Sequence, residues 1–488
     1  MSGGDAVLVV GYRVTGQSVA NFLHRRGDRI IVVEDDPTDE RVRHAEAVDA
    51  TFIGHPDEET LRRAVAESRL VVPSPGIPVS HPVYRLAAAA GVPVHSEVEL
   101  GWERLEARGA DAAGDGSSGA RGGTGTGRRP ALVAVTGTNG KTTVTSLVAA
   151  MLVQSGLVAV AAGNIGLPFI DAAGLDADVL VTEVSSFQLQ FTDRFHPRVS
   201  CWLNLAPDHL DWHPTMAHYA AAKARIWASQ GAGDVVVVNA DDPAVMAAAA
   251  DIELGIGPEV AVVTFSAAAA GGAAGVAGPR HVDFSLDRRG VLMGPAGLEL
   301  VAATELPRSL PLDIANSLAA AATALAAGAS PEGCRSALRQ FMGLPHRVEL
   351  VAEAGGVRWY DDSKSTTPAS VLAAVAGFRS VVLIAGGRNK GLDLGVLAAA
   401  APPVRAVVAI GEAAGDVEAA FAGRVAVTRA DTMEAAVLAA DEIAQPGDAV
   451  LLSPGCASYD WYRSYAERGE EFTALVAATV ATEEGGSG

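Results

Sequence analysis

The sequence has 488 residues and a formal net charge of −20 at pH 7. Since a domain usually holds about 100–200 residues, a chain of this length forms several domains, and its 49% apolar content can fill their cores. An acidic surface repels a phosphate backbone, so we expect no nucleic-acid partner.

The cysteine count and the hydropathy pattern indicate the cellular compartment of the protein. The three cysteines, Cys201, Cys334 and Cys456, are widely separated and odd in number, which argues against a disulfide framework. The sequence has neither a signal-peptide pattern at its N-terminus nor an uninterrupted apolar run of about 18 residues. We therefore expect a cytoplasmic protein without membrane insertion. Separately, we expect a monomer.

The first hundred residues alternate between short apolar runs and amphipathic segments. Val7–Val10, Ile30–Val33 and Leu70–Val72 are predicted strands, and Thr15–Arg26 is a predicted helix. The alternation indicates a parallel sheet, and parallel sheets bind ligands at the carboxyl ends of their strands.

The turn after the first strand carries two glycines, Gly11 and Gly16, in VVGYRVTGQS. Arg13 stands where a dinucleotide fingerprint has its middle glycine, which argues against NAD or FAD. Another phosphate at this helix N-terminus and a plain strand–helix turn both remain open. The loop SPGIP at Ser74–Pro78 follows the third strand and is expected at the same sheet edge.

Composition predicts the domain boundaries. Residues 107–129 consist mostly of Gly, Ala, Ser and charged residues, which predicts a flexible linker, and residues 267–278 have the composition of an expanded loop. The predicted division is 1–106, linker 107–129, 130–343 and 344–488.

The αβ alternation resumes twice after the linker. The predicted elements are strands Leu132–Val135, Val179–Thr182, Val199–Trp202 and Val235–Val238, helices Lys141–Gln154 and Leu312–Ala327, and then strands Val381–Ile384, Val404–Ile410 and Ala449–Leu452. We therefore predict three consecutive α/β domains, with Rossmann-like first and third domains and a central parallel sheet of the P-loop ATPase type.

The segment AVTGTNGKTT, with Thr136–Thr143 as its loop, joins a predicted strand to a predicted helix. In this context the backbone amides cradle phosphates, Lys141 reaches the terminal phosphates and the Thr142 hydroxyl can bind Mg²⁺. Val135 replaces the first glycine of the usual pattern, which argues against the commonest NTPases.

Three further residues are candidates for a metal or catalytic site. Glu183 ends a predicted strand of the same sheet, so its carboxylate is suited to Mg²⁺. His209, flanked by Asp208 and Asp211, follows the next strand. Lys223 lies on a later helix, where a lone lysine is most simply a solvated surface residue.

These segments in this order resemble the Mur ligase family, the amino-acid-adding enzymes of peptidoglycan precursor synthesis. The matching segments span nearly the whole chain and are TGTNGKTT, GNIG from Gly163, EVSSFQL from Glu183, DHLD around His209, AAKARI around Lys223, GLPHRVE from Gly343, DDSKSTTP from Asp361, AGGRNKG from Ala385 and SPGCASYDWY from Ser453. Within the family, the resemblance is strongest to members that add D-glutamate to UDP-N-acetylmuramoyl-L-alanine.

The resemblance implies an ATP-dependent ligase with an acyl-phosphate intermediate, and it implies Mg²⁺, two ions in all. The implied ATP-binding residues are Gly137, Thr138, Asn139, Gly140, Lys141, Thr142, Thr143, Asn316, Arg347 and Asp362. The implied metal ligands are Thr142, Glu183, His209 and Lys223, with Lys223 acting as a carbamate. The implied catalytic residues are Lys141, Glu183, His209 and Lys223. Asp313 stands where family members often have Asn.

The resemblance also implies the substrate contacts. Residues implied for the UDP-linked substrate are Val14, Thr15, Ser74, Pro75, Gly76 and Asn164. Those implied for D-glutamate are Lys364, Thr366, Lys390, Ser458 and Tyr465. Two alternatives stay open on the sequence: a related ligase such as a folylpolyglutamate synthase, and a P-loop kinase or regulatory ATPase that acts without an amino acid.

Overall fold

The computed structural model describes residues 4–114, 129–210, 212–251, 254–268 and 282–485. The chain divides into two compact units. The first comprises Met1–Leu205, Trp212–Glu305 and Asn316–Gln340, and the second comprises Ala206–Asp211, Leu306–Ala315 and Phe341–Gly488. Among the described helices, none combines the length and the apolarity needed to cross a membrane.

The first unit begins with a four-stranded parallel sheet of order β3-β2-β1-β4. Its elements are β1 (Ala6–Val10), α1 (Val14–Arg26), β2 (Ile30–Glu34), α2 (Asp39–Ala47), β3 (Thr51–Gly54), α3 (Glu58–Ala66), β4 (Ser68–Pro73) and α4 (Pro82–Ala90). Every residue of β1 and β2 is buried, because helices cover both faces of the sheet. The predicted strands and helix of this region are confirmed.

Helix α5 (Glu97–Gly114) follows this sheet and contacts the next one. The Glu99 carboxylate accepts hydrogen bonds from the backbone N–H groups of Asp193, Arg194 and Phe195. The Arg108 guanidinium donates to the carbonyls of Ala173 and Leu175. Residues 107–114 are therefore helical, and the prediction of a linker starting at residue 107 is wrong there. The remainder of that linker lies almost entirely outside the described residues.

The second sheet of the first unit has the order β13-β12-β11-β10-β9-β8-β5-β7-β6 and is parallel from β6 to β11. Its strands are β5 (Ala131–Thr136), β6 (Ala159–Gly163), β7 (Val179–Glu183), β8 (Val199–Trp202), β9 (Val235–Asn239), β10 (Ala261–Ser266), β11 (Phe284–Leu286), β12 (Val291–Met293) and β13 (Glu299–Ala302). Its helices are α6 (Lys141–Gln154), α7 (Phe169–Ala172), α8 (Ser186–Leu189), α9 (Met216–Ala224), α10 (Pro243–Ala250), α11 (Pro311–Ala326) and α12 (Pro331–Gln340), with 3-10 turns at Arg225–Trp227, Pro295–Gly297 and Ala303–Glu305.

The second unit contains a six-stranded sheet of order β14-β15-β19-β16-β17-β18, in which only the edge pair β14–β15 is antiparallel among the described ladders. Its elements are β14 (Glu349–Ala354), β15 (Val357–Asp361), α13 (Pro368–Val375), β16 (Val381–Gly386), a 3-10 helix Leu394–Ala400, β17 (Val404–Ile410), α14 (Ala414–Phe421), β18 (Ala426–Ala430), α15 (Met433–Ile443), β19 (Ala449–Gly455) and α16 (Tyr465–Gly485). The prediction of three consecutive α/β domains is confirmed.

Candidate functional site

The phosphate loop lies between β5 and α6, as predicted. Gly140 is the N-cap of α6 and has a φ of +82°, in the left-handed region that glycine adopts without strain. The Lys141 ammonium donates to the carbonyls of Gly137 at 2.9 Å and Thr138 at 2.8 Å. The lysine therefore lies folded over its own loop, and Thr142 and Thr143 lie in the first turn of the helix behind it.

Asn204, just after β8, holds this loop in shape. Its side-chain oxygen accepts hydrogen bonds from the backbone N–H groups of Thr138 (3.1 Å) and Asn139 (2.8 Å), and its amide donates to the Asn139 carbonyl (3.1 Å). No motif of the sequence indicated a role for Asn204, although it is the first residue of the segment that runs to His209. Asn204 binds the backbone of the phosphate loop from a segment distant in sequence, and such a contact leaves no signal in the sequence of the loop itself.

Asn316, on α11, lies against the loop. A Cβ atom built on Gly140 would be 2.6 Å from Asn316 Oδ1, closer than carbon and oxygen can approach without movement. Glycine at residue 140 is therefore favoured by its φ, and a Cβ atom there would also displace the Asn316 side chain. Asn316, which the resemblance implies for nucleotide binding, thus lies beside the phosphate loop.

Glu183 ends β7, beside β5, and its carboxylate is buried, with the residue 2% exposed. One oxygen, Oε1, accepts a hydrogen bond from the Asn164 side chain at 2.9 Å. The other, Oε2, is buried and has no hydrogen-bond partner among the described residues. An ionised oxygen left in this state is costly, so the site suits a cation. Asn164 thereby orients the carboxylate.

Lys223 is 1% exposed, so the interpretation of a lone surface lysine is wrong. Its ammonium donates to the Gly137 carbonyl of the phosphate loop at 2.8 Å and lies 4.7 Å from the centre of the Tyr219 ring. The Tyr219 hydroxyl is in turn 3.3 Å from the Thr138 hydroxyl. The Lys223 ammonium therefore faces the phosphate loop and not the solvent.

His209 belongs to the second unit together with Asp208. Its Nε2 lies 3.2 Å from Asp208 Oδ2, and its backbone has a φ of +54°. Asp211, the other flanking carboxylate of the prediction, lies outside the described residues.

The two N-terminal loops meet at one edge of the first sheet, as expected. The Ser74 hydroxyl donates to the Gly11 carbonyl at 2.8 Å. A Cβ on Gly16 would be 2.1 Å from that same carbonyl oxygen, so the helix packs against the turn only with glycine there. Val14 and Thr15 form the first turn of α1, Val14 being 64% exposed, and Pro75 and Gly76 lie in the loop after β4.

Asp362 follows β15 in the second unit. Its carboxylate accepts hydrogen bonds from the Ser453 hydroxyl at 2.7 Å and the Val348 N–H at 3.2 Å. Burial raises the pKa of Asp362 to about 7, and the Ser453 hydrogen bond and the charge of Arg347 oppose that shift. The implied nucleotide residues Arg347 and Asp362 are therefore electrostatic neighbours.

Lys364 and Tyr465 also lie together, with the Lys364 ammonium 3.7 Å from the centre of the Tyr465 ring. His346 stands edge-on to that ring with 6.0 Å between the ring centres, and its Nδ1 is 2.6 Å from Asp361. Lys390 lies 5.8 Å from the Tyr459 ring, next to the buried Ser458. Thr366 is half-buried in the loop before α13.

Arg468, to which no motif of the sequence pointed, joins the loops that carry these residues. Its buried guanidinium donates to the hydroxyl and carbonyl of Ser363 and to the Cys456 carbonyl. Burial lowers the pKa of Arg468 to about 10. The same arginine therefore holds the loop of Lys364 and the loop of Ser458.

Three family models match the chain. They are the Mur ligase MurD-like N-terminal domain over residues 5–96, the Mur ligase middle domain over residues 135–324 and the Mur ligase glutamate ligase domain over residues 346–456.

Curated relatives are similar over nearly the full length. The UDP-N-acetylmuramoylalanine--D-glutamate ligase of Frankia casuarinae is 42% identical, with 97% of this chain and 94% of the relative covered. The ligase of the same name from Thermobifida fusca is 40% identical, with 97% and 98% covered. Among solved structures, MurF from Acinetobacter baumannii has a TM-score of 0.57 at 17% identity, with 97% of this chain and 91% of that chain covered, which shows a common fold.

Proposed function

The chain belongs to the Mur ligase family, and we propose that it adds D-glutamate to UDP-N-acetylmuramoyl-L-alanine, using ATP and releasing ADP and phosphate. Its curated relatives carry that activity in their names and are matched from end to end. The product is a precursor of peptidoglycan.

The observation that carries the proposal is the pair of buried groups next to the phosphate loop. Lys223 donates to the Gly137 carbonyl of the loop, and the Glu183 carboxylate lies on the strand beside β5 with one oxygen unpartnered among the described residues. A phosphate loop alone fits any ATPase. A carboxylate and a buried amine beside it fit an enzyme that must bring a substrate carboxylate to ATP.

The proposed reaction has two steps. The carboxylate of the UDP-linked substrate attacks the γ-phosphorus of ATP, and ADP leaves to give an acyl phosphate. The D-glutamate amine then attacks the acyl carbon, phosphate leaves and the amine loses a proton. Lys141 and the loop amides offset the repulsion between the two anions in the first step. Asn164 holds Glu183, and Asn316 lies against the loop beside the nucleotide.

The residues near the loop fit Mg²⁺, which prefers carboxylate and hydroxyl oxygens. Glu183 Oε2 and the Thr142 hydroxyl would hold it, and His209 is proposed as a further ligand. Bound Mg²⁺ would neutralise the phosphates. We propose that the Lys223 amine is carbamylated. Carbamylation replaces the buried cation by an anion, which can serve as a metal ligand. Two ions are proposed.

The C-terminal residues are proposed to hold D-glutamate. Lys364, Lys390 and Ser458, with Thr366 and Tyr465, offer cations and hydroxyls to its two carboxylates. The acyl phosphate reacts readily with water, so the site must exclude water while the amine attacks.

The test is a phosphate-release assay with UDP-N-acetylmuramoyl-L-alanine, ATP and Mg²⁺ in which only the amino acid is varied. Release that requires D-glutamate and yields one equivalent of ligated product supports the proposal. Release without any amino acid would indicate a different P-loop ATPase, and release that also needs a folate would indicate a folylpolyglutamate synthase. A folded Lys141→Ala variant, which should release no phosphate, serves as the negative control.

A further inference from the structure

The second unit contains a cavity of about 860 Å³ whose lining is separate from the proposed reaction site. It is lined at the start of β15 and β16 by Arg358 and Ser380, and at the start of β19 by Ala449. These are the amino ends of parallel strands. Asp362 and Ser453, by contrast, lie at or beyond the carboxyl ends, where ligands of α/β sheets normally bind.

Two arginines of the lining carry guanidiniums that no other group pairs in the described part of the chain. Arg358, on β15, and Arg379, just before β16, both line it, and both are exposed. In the described part of the chain, neither guanidinium forms a hydrogen bond or an ion pair, although Glu353 is the cross-strand neighbour of Arg358. In a chain with a net charge of −20, two unpaired guanidiniums on one cavity are an anion-binding feature.

Apart from Ser309 and Glu349, whose carboxylate accepts a hydrogen bond from the His346 N–H at 2.9 Å, the rest of the lining is mainly apolar and aromatic. Tyr360 and Phe378 have ring centres 4.9 Å apart, and Leu350 and Met342, which also line the cavity, are 51% and 81% exposed. A volume of this size holds a small organic molecule, since ligand sites measure about 300–1,000 Å³. The apolar walls therefore fit a ring or an alkyl body, and the arginines fit an anionic group attached to it.

A third arginine in the lining, Arg308, is already occupied. It forms a bidentate pair with Asp313 at 2.7 and 2.6 Å, and it donates to the carbonyls of Arg347 and Val348. It fixes the cavity wall and leaves recognition of an anion to Arg358 and Arg379. Asp313, which stands where family members often have Asn, is thus the ion-pair partner of Arg308 in the cavity wall.

We propose that this cavity is a second binding site, distinct from the proposed reaction site, for a small organic anion with a ring body, held by Arg358 and Arg379. The anionic group is a phosphate ester or a carboxylate, because a guanidinium binds both in the same bidentate manner. The body packs on Tyr360 and Phe378.

The test uses calorimetric titration of the full-length protein with naphthyl phosphate and, separately, naphthoate, with ADP and Mg²⁺ at saturation to fill the phosphate loop. We expect one site for either probe. The double variant Arg358→Ala/Arg379→Ala should weaken binding about tenfold or more, and uncharged naphthol should bind correspondingly weakly. Arg424→Ala removes an exposed arginine of the same unit outside the cavity and should leave the affinity unchanged.

The variant Arg358→Lys/Arg379→Lys keeps the charge and should retain part of the affinity, which separates loss of the anion contact from loss of the fold. Three results would overturn the proposal. They are no binding of either probe up to about 5 mM, equal affinity in the alanine double variant, and displacement of the probe by D-glutamate.

Discussion

The backbone of Gly140 has a φ of +82°, and a Cβ atom there would lie 2.6 Å from Asn316 Oδ1. We expect Gly140→Ala to lower kcat/KM for ATP about 100-fold, because the positive φ strains alanine and the Asn316 side chain or the loop must shift to make room. Steady-state kinetics with varied ATP measures this.

Gly156→Ala is the matched control, since Gly156 has a φ of +85° with nothing within 4 Å of the added carbon. It should cost about 1 kcal/mol of stability and leave the ATP kinetics unchanged. Equal losses of kcat/KM in both variants would mean that backbone strain, and not the contact with Asn316, causes the loss.

Lys223 offers a second prediction at the scale of one residue. Lys223→Ala should be inactive but folded, and short-chain carboxylic acids should restore part of the activity by filling the place of the carbamate. Ligase assays with and without added acetate measure the restoration. Full activity without any added acid would remove Lys223 from the site. Lys141→Ala, whose side chain has no carboxylate role, should not respond to acetate.

At single residues, the sequence predicts those side chains whose chemistry is tied to a motif. Lys141 follows the loop glycine and Glu183 ends an apolar strand, so both could be selected in advance. Asn204 and Arg468 act by binding the backbone of segments distant in sequence, through Asn139 and Ser363. Such contacts depend on which segments the fold brings together, and one sequence does not contain that information.

At the scale of elements, the phosphate loop owes its shape to Asn204 on the segment after β8. Asn204→Ala leaves the N–H of Asn139 without its acceptor, and we expect a loss of about 1–3 kcal/mol in unfolding free energy and a roughly tenfold higher KM for ATP. Denaturant unfolding and ATP-dependent kinetics measure the two effects. Asn204→Asp keeps the acceptor and should recover most of the lost unfolding free energy, while its negative charge beside the phosphate loop keeps the KM for ATP high. An unfolding free energy as low as that of the alanine variant would contradict this explanation.

Helix α5 begins at Glu97, a buried carboxylate that accepts a hydrogen bond from the Ile170 N–H. Burial raises the pKa of Glu97 to about 7, while the Ile170 hydrogen bond opposes the shift. Since the folded chain binds this proton more tightly than the unfolded chain, the contribution of Glu97 to stability is greatest at low pH and is lost as pH rises through about 7. The loss amounts to at most about 3 kcal/mol.

Glu97→Gln keeps an acceptor for Ile170 but cannot ionise. Relative to wild type, this variant should therefore gain stability between about pH 5 and about pH 8, as measured by urea unfolding at both values. Glu470→Gln, which removes an exposed carboxylate, should show no such change. A difference between wild type and Glu97→Gln that does not vary with pH would contradict the assignment.

The elements that the sequence predicts best are the buried parallel strands, because helices on both faces require continuous apolar runs such as AVLVV in β1. Edge strands such as β3 and β14, with exposed and half-buried residues, carry no such run and were not predicted. The end of α5 was assigned to a linker, because the Ala- and Gly-rich composition after residue 106 does not reveal that Arg108 is tied to the carbonyls of Ala173 and Leu175.

At the scale of the whole molecule, three sheets serve three parts of one proposed reaction. The first presents the Gly11 and Ser74 loops, the second carries the phosphate loop with Glu183 and Lys223, and the third carries Asp362. Each group follows the carboxyl end of a parallel strand or lies next to such a loop, as doubly wound sheets favour. The order of these domains along the chain was predictable from alternation and motif spacing.

In the proposed reaction, the phosphate loop drives activation of a substrate carboxylate. The most direct measurement uses UDP-N-acetylmuramoyl-L-alanine with both carboxylate oxygens replaced by the heavy oxygen isotope, with ATP and D-glutamate, and mass analysis of the released phosphate. An acyl-phosphate intermediate predicts one heavy oxygen in each phosphate released, together with one equivalent of ligated product. Phosphate without the label, released at the same rate, would mean that water attacks ATP and would contradict the account.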